Sequence, residues 1–285
     1  MTSRQLLSLF SAFLILGLLV SAGKPPTISE RVAGAILPHH LLVEGYLEAF
    51  YQHLREQIPG VTRIILISPN HFNYGYFKIR TTDGVFLNSE LFPSTPPLDM
   101  AVIRAVTDSS PLSIENTDFT KEHGVMVHLP FIAEHFPEAS VVPIILKEGT
   151  SEAQLDMLAS ALIPYRDDHT LVLGSIDFTH YEAEAVALTN DARTIQWLER
   201  LSSSWPLKSD VSLETLRSLA QTTNSNPASL GVAMDSSESL YLVSKILEGQ
   251  NALHFNLWKR TSSASFTGVD RAELNTSHLF GTFSQ

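Results

Sequence analysis

The 285-residue sequence contains no cysteine, which excludes disulfide bonds, thiolate metal ligands and a cysteine nucleophile. Basic residues are also scarce, because 19 lysines and arginines stand against 30 aspartates and glutamates, for a formal net charge of −11. A nucleic-acid-binding protein needs a basic face to neutralise phosphates, so we expect no nucleic-acid partner. The same deficit argues against docking on anionic lipid through a basic patch.

Several common catalytic motifs are missing as well. The chain has no H-E-x-x-H zinc-protease spacing, no G-x-S-x-G turn and no Walker-type phosphate loop. In contrast, hydrophobic residues make up 44% of the sequence, and there are 11 histidines. This composition supports a sizeable core, and the length behind the N-terminal segment suits one large domain better than two small ones.

Residues 1–22 are typical of an export segment. Arg4 precedes an apolar run, Leu6–Val20, and small residues surround Ala22. The run is short for a membrane span of about 20 residues, so a signal peptide cleaved before Gly23 and an uncleaved membrane anchor both stay open. Either alternative predicts that residues 23–285 form an exported or membrane-anchored domain, which touches the membrane only through its N-terminal segment.

Short apolar runs alternate with segments of helical periodicity along the rest of the chain. Strands are predicted at Val32–Leu37, Arg63–Ile67, Tyr76–Thr81, Val141–Leu146, Thr170–Leu173 and Leu253–Leu257. Ala264–Val269 is predicted as a late strand or a loop. The alternation indicates an α/β fold, a single domain whose largely parallel central sheet is flanked by helices. In such sheets, ligands bind beyond the carboxyl ends of the strands.

Four histidines occupy positions at predicted strand ends or turns. They are His39 in Leu-Pro-His, His71 in Ser-Pro-Asn-His, His123 in Lys-Glu-His and His180 in Asp-Phe-Thr-His. Neutral imidazoles are common ligands of iron, copper and zinc, and two or three from separate loops define an open site. We therefore predict that these histidines line one metal-holding pocket, although any one of them could instead be a hydrogen-bonded structural residue.

Neighbouring residues are predicted to support the pocket. His40 is expected to brace or cap rather than to bind metal, and Asp177 to orient a histidine ring by accepting its second N–H. His128 either caps a helix or reaches the substrate. The remaining histidines are predicted to be surface or packing residues, namely His53, His135, His169, His254 and His278.

In this order, the motifs resemble those of the Memo family, the Memo-like component of AmmeMemoRadiSam systems (system protein B). Members are similar in structure to extradiol non-haem iron dioxygenases. The resemblance implies that His39 and His71 bind the metal and that His180 is the acid/base, with His123 and Asp177 beside it. It also implies that Glu122, His123 and His128 line or brace the substrate pocket, and we expect His40 to lie beside them.

One departure from the family pattern concerns the third metal ligand, a cysteine in a late Cys-Gly-Arg-x-Pro-Ile-Gly loop. Alignment on Gly231 places Ser225 at the cysteine and Pro227 at the arginine. A neutral serine hydroxyl is a weak ligand for a divalent cation. With only two histidines, the site is expected to bind metal weakly, or to need a further ligand from His40, Glu122 or water.

Two functions therefore stay open. The first is a metal-dependent oxidoreductase that acts on an unknown small substrate with one divalent metal, iron or copper ahead of zinc. The second is a non-catalytic module that has lost the third ligand and binds a small molecule or peptide in the same crevice. Metal content, measured in the protein and in His39→Ala and His71→Ala variants, separates the two.

Overall fold

The computed structural model describes residues 31–73, 75–84, 95–117, 119, 121–203, 211–223, 231–248 and 254–285. Residues Arg31–Gln285 form one compact unit. The predicted export segment, residues 1–22, lies outside the described residues, as does Ser225. Within the described ranges, no helix is both long enough and apolar enough to cross a membrane.

An eight-stranded sheet forms the centre of the described structure. Its strands are β1 (Val32–Leu37), β2 (Arg63–Pro69), β3 (Ile79–Thr81), β4 (Ser113–Ile114), β5 (Ser140–Leu146), β6 (Thr170–Ser175), β7 (His254–Ser262) and β8 (Ser277–Ser284). Their order is β4-β3-β5-β2-β6-β1-β8-β7. The central strands β5, β2, β6 and β1 are parallel, whereas β8 and β7 add an antiparallel edge. The predicted α/β class with a largely parallel sheet is confirmed.

Helices cover both faces of this sheet. They are α1 (Glu44–Gln57), α2 (Met100–Ser109), α3 (His123–Met126), α4 (His128–His135), α5 (Glu152–Leu162), α6 (Glu184–Ser203), α7 (Leu213–Leu219), α8 (Ser237–Leu247) and α9 (Ser263–Thr267). Along β2, Ile64 and Leu66 pack with α1, α3 and α4, while Ile65 and Ile67 pack with α2, α5 and α8. This alternation buries both faces, because successive strand side chains point to opposite sides.

Side-chain caps set the starts of several helices, among them α5 and α8. Ser151 and Gln154 form a capping box at α5. Ser236 accepts a hydrogen bond from the Ser239 N–H at 3.0 Å and begins α8. Asp235 directly precedes this second cap, so the start of α8 also fixes the position of its backbone.

Two elements near the carboxyl terminus differ from the prediction. The expected strand or loop at Ala264–Val269 is instead the short helix α9, because Ser262 and Ser265 cap each other across its first turn. Strand β8 carries polar residues such as Ser277 and Thr282 among its apolar ones, and every residue in it is buried. It therefore lacks the apolar run that predicted the central strands.

Candidate metal centre

Three neighbouring strands place a possible metal-binding side chain at the same edge of the sheet. β1 is followed after one intervening residue by His39, β2 by His71 and β6 by Asp177. Because β6 pairs in parallel with both β1 and β2, the carboxyl ends of these strands lie side by side. The sheet thus brings together residues that are far apart in the sequence, at the edge where α/β proteins bind ligands.

Three of the four predicted histidines converge. The ring centroids of His39 and His71 are 4.7 Å apart, those of His71 and His123 are 4.0 Å apart, and those of His39 and His123 are 5.1 Å apart. Their candidate ligand nitrogens lie within 4.8 Å of one another, so this group could hold a metal ion. Only His39 is deeply buried, whereas the His123 side chain is 48% exposed.

A fourth ligand candidate, Asp235, was not predicted. Its Oδ2 lies 3.3 Å from Nε2 of His39 and 3.7 Å from Nε2 of His71. The other oxygen, Oδ1, is buried and makes no hydrogen bond. A buried carboxylate oxygen without a partner is costly in a folded protein, so the donor set and its unsatisfied atom fit a bound divalent cation.

Asp235 offers a third strong ligand candidate that the sequence did not indicate. Alignment on Gly231 pointed to Ser225, which precedes that glycine, whereas the carboxylate beside the two histidines follows it. The available signal in the sequence was the Asp-Ser pair that immediately precedes α8.

A buried chain of hydrogen bonds fixes the ring of His39. Its Nδ1 lies 2.9 Å from the Ser175 hydroxyl, which is 3.1 Å from Nε2 of His128, and Nδ1 of His128 lies 3.1 Å from the Tyr51 hydroxyl. Burial lowers the pKa of His39 well below its usual value and that of His128 to about 3, so both rings are neutral. We assign Nδ1–H of His39 as the donor to Ser175, which leaves Nε2 free to bind a metal.

The ring of His71 lies beside two carboxylates, whereas the ring of His39 is hydrogen-bonded to a neutral hydroxyl. Its Nδ1 donates to Oε1 of Glu122 at 2.6 Å, and its backbone N–H donates to Oε2 at 2.9 Å. Burial opposes the charged ring, but the nearby carboxylates of Asp235 and Glu122 raise the pKa of His71 to about 10. Without a metal, His71 therefore carries a proton between two carboxylates, and a metal has to displace that proton.

Glu122 is fully buried and serves two neighbours. Its Oε1 also accepts from the Gly124 N–H at 3.0 Å, so the carboxylate caps α3 while it holds His71. Burial opposes its ionisation, but the His71 ring outweighs this and keeps the pKa of Glu122 below its usual value. Glu122 therefore braces the site through His71, as expected of a residue that supports a metal ligand.

Asp177 lies beside the rings of both His278 and His39, and its Oδ2 is 3.5 Å from Nε2 of His39. Its Oδ1 lies 3.3 Å from Nδ1 of His278 and accepts from the His39 backbone N–H at 3.3 Å. Burial disfavours its charge, but His39 and His278 hold the pKa of Asp177 well below its usual range. His278 is fully buried on β8. Because β8 was not predicted, the proximity of His278 to the site could not be foreseen.

The other predicted site residues lie around this centre. Nδ1 of His40 accepts from the Leu42 N–H at 3.1 Å, which agrees with the expected capping role. His128 is fully buried and lies behind His39 through Ser175, so it braces a ligand. His180 pairs its backbone with Val232, and its Nε2 is buried without a hydrogen bond.

A cleft of about 510 Å³ adjoins Asp235. Its walls come from α7, from the segment before α8 and from the start of α8, and they include Arg217, Gln221, Val232 and Glu238. Ligand pockets in proteins typically have volumes of about 300–1,000 Å³. The cleft therefore has room for a small molecule beside the candidate metal centre.

Comparison with known proteins places the chain in a family. The model of the family described as Memo-like protein matches residues 19–209. A MEMO1 family protein of Pyrobaculum arsenaticum is 28% identical over 178 residues, or 60% of this chain and 61% of the relative. A MEMO1 family protein of Thermotoga sp. strain RQ2 is 28% identical over 190 residues, or 64% of each chain. The chain thus spans about three fifths of the length of the relatives it matches.

A solved structure supports the fold. The crystal structure of an Escherichia coli K12 protein, titled uncharacterized protein JW3007, covers 88% of this chain and 99% of its own, with a TM-score of 0.51 and 13% identity. At this identity the likeness concerns the fold alone. Since the family match covers well over half of the sequence, the chain belongs to the Memo family.

Proposed function

We propose that the protein binds one divalent metal, preferentially iron(II), through His39, His71 and Asp235, and that it is a metal-dependent oxidoreductase acting on a small substrate. The proposal rests on Oδ2 of Asp235, which lies 3.3 Å and 3.7 Å from Nε2 of the two histidines. Two imidazoles and one carboxylate, with other positions open, are the donor set of non-haem iron(II) oxygenases.

The carboxylate also bears on which metal is preferred. Carboxylate oxygen is a harder donor than the cysteine of the family pattern, and soft thiolates favour copper(I) and zinc. We therefore place iron ahead of copper. The expected loss of the third ligand was the reason for considering a non-catalytic binding module, and Asp235 removes that reason.

A bound iron(II) would supply redox chemistry and open coordination positions. The protein residues would prepare the site for it. Ser175 holds the Nδ1–H of His39, and Glu122 holds the Nδ1–H of His71, so that both Nε2 atoms face Asp235. The buried Nε2 of His180 makes no hydrogen bond, so it is available to take up or return a proton during turnover.

Iron binding provides the first test. The protein is purified anaerobically and loaded with iron(II), its metal content is measured by mass spectrometry, and nitric oxide is added as a spectroscopic probe of open positions. We expect one iron per chain and a nitrosyl signal. Both should be lost in His39→Ala and Asp235→Asn but retained in the matched surface variants His254→Ala and Asp108→Asn.

Two results would contradict the proposal. The metalloenzyme function fails if the native chain holds clearly less than one metal and neither site variant changes that content. Stoichiometric iron that gives no nitrosyl signal would indicate a closed, structural site and would favour the binding-module alternative.

The exported location also stays a proposal, motivated by the apolar run Leu6–Val20. Sequencing the N-terminus of the mature protein tests cleavage. A start at Gly23 is expected for a signal peptide, whereas a retained Met1 would rule out cleavage.

A further inference from the structure

A second group of possible metal ligands lies outside the centre described above. Glu48 on α1 and Glu134 and His135 at the end of α4 place one ligand atom each within 4.8 Å of one another. The two glutamates are partly or fully exposed, and His135 is buried. Two exposed carboxylates alone would be an ordinary solvated surface, so the significance of this group depends on the histidine.

The polar ring of His135 is buried without a hydrogen bond. Its side chain is 5% exposed, and neither ring nitrogen makes a hydrogen bond. Nε2 lies 3.0 Å from Oε1 of Glu48, which is a close approach without the geometry of a hydrogen bond. Most buried polar atoms in folded proteins have a hydrogen-bond partner, so a buried ring that makes none, next to two carboxylates, fits a cation held by all three side chains.

We infer that Glu48, Glu134 and His135 form a second divalent-cation site, of the zinc class, that bridges α1 and α4. One imidazole with two carboxylates is a donor set that zinc accepts, and solvent can complete its coordination. The exposed glutamates provide an entry path for the ion from solvent. The buried ring would bind it through Nε2, which faces Glu48 and makes no hydrogen bond.

The site would also hold a residue that matters to the first metal centre. The Tyr51 ring is stacked on His135 with a centroid distance of 6.1 Å and an interplanar angle of 17°. The hydroxyl of the same tyrosine meets His128, which leads through Ser175 to His39. A cation that fixes α1 against α4 would therefore stiffen the far end of the chain of hydrogen bonds behind His39.

The test uses the full chain carrying His71→Ala and Asp235→Asn, which remove two of the three proposed ligands of the first centre. Zinc affinity is measured by competition with a chromophoric chelator, and cobalt(II) replaces zinc to give an absorption spectrum. We expect Glu48→Gln and Glu134→Gln each to weaken zinc binding by at least about tenfold, since even residues that only brace a ligand cost that much. Glu138→Gln, an exposed acidic residue outside the cluster, should leave affinity unchanged.

A second readout follows from the bridging geometry. Zinc should raise the melting temperature of the background chain, and this rise should shrink in both glutamate variants, because an ion that binds only the folded state stabilises it. The inference is overturned if the background chain binds no zinc, or if Glu48→Gln and Glu134→Gln bind it as tightly as Glu138→Gln does. Since the first centre is disabled throughout, failure here would leave the proposed function standing.

Discussion

The two histidines beside Asp235 have opposite surroundings. His39 is buried, is backed by the neutral Ser175 and His128, and has a pKa lowered well below the usual value. The His71 side chain is 23% exposed, is backed by the carboxylate of Glu122 and has a pKa raised to about 10. One ring is thus neutral in advance, and the other is held as a cation.

This difference assigns a separate task to each side of the site. A neutral, hydrogen-bonded imidazole is already in the form that binds metal, so the His39 side is preorganised. On the His71 side, the protonated ring neutralises Glu122 and Asp235 and occupies the position that a metal would take. The metal must therefore compete with a proton at His71 but not at His39.

The largest effect on metal affinity is expected for Asp235→Asn, which removes the carboxylate charge that lies beside both His39 and His71. Because a charged ligand is lost, metal affinity should fall by a factor on the order of 100 or more, beyond the loss typical of residues that only brace a ligand. Competition titration with iron(II) or cobalt(II) measures it. The matched variant Asp235→Cys should keep binding but shift preference toward zinc and copper(I). Equal affinity in Asp235→Asn and the native chain would show that Asp235 is not a ligand.

Ser175→Ala tests the neutral side. The change removes the hydroxyl between His39 and His128 and leaves two buried ring nitrogens unsatisfied. We expect metal affinity to fall by roughly 10–100-fold and the free energy of unfolding to fall by about 1–3 kcal/mol. Chelator competition and urea unfolding measure the two quantities. A stability loss without any change in affinity would restrict Ser175 to a packing role.

The pH dependence of metal binding tests the His71 side of the site, where the ring carries a proton. Between about pH 7 and 9, below the His71 pKa of about 10, each metal ion must displace one proton from that ring. Affinity should therefore rise about tenfold per pH unit. Titrations at three pH values measure the slope, with metal hydrolysis controlled by the chelator. A flat profile would mean that His71 is already neutral or does not bind.

The smallest effect concerns stability without metal. The pKa of His71 is raised in the folded state. The stability that its charged ring contributes is therefore fully present below the unfolded-state pKa near 6.5, and it is lost as pH rises through about 10. Urea unfolding of the metal-free native chain should show this loss, while Glu122→Gln, which removes one partner, should show a smaller one. Identical pH profiles in both chains would exclude the Glu122 contact as its cause.

The sequence predicted the positions of His39 and His71 much better than those of Asp235 and His278. His39 and His71 follow β-branched or apolar runs that are recognisable as buried strands, so their meeting at one sheet edge followed from the fold class. Asp235 begins a polar stretch and follows no strand within the described residues 231–234, whereas His278 lies on a strand whose polar residues conceal it. Their positions depend on a helix cap and on an antiparallel edge, which periodicity does not reveal.

The equal spacing of His39, His71 and Asp177 behind their strands makes the site sensitive to strand alignment. A slip of one residue between β1 and β6 would move His39 by about 3.3 Å relative to Asp177 and turn it to the opposite face. Such a slip would separate His39 from Asp235 as effectively as deleting a ligand. The hydrogen-bonded alignment of β1 with β6 therefore sets the distances between the residues of the metal centre. Core substitutions that loosen this alignment should lower metal affinity before they unfold the protein.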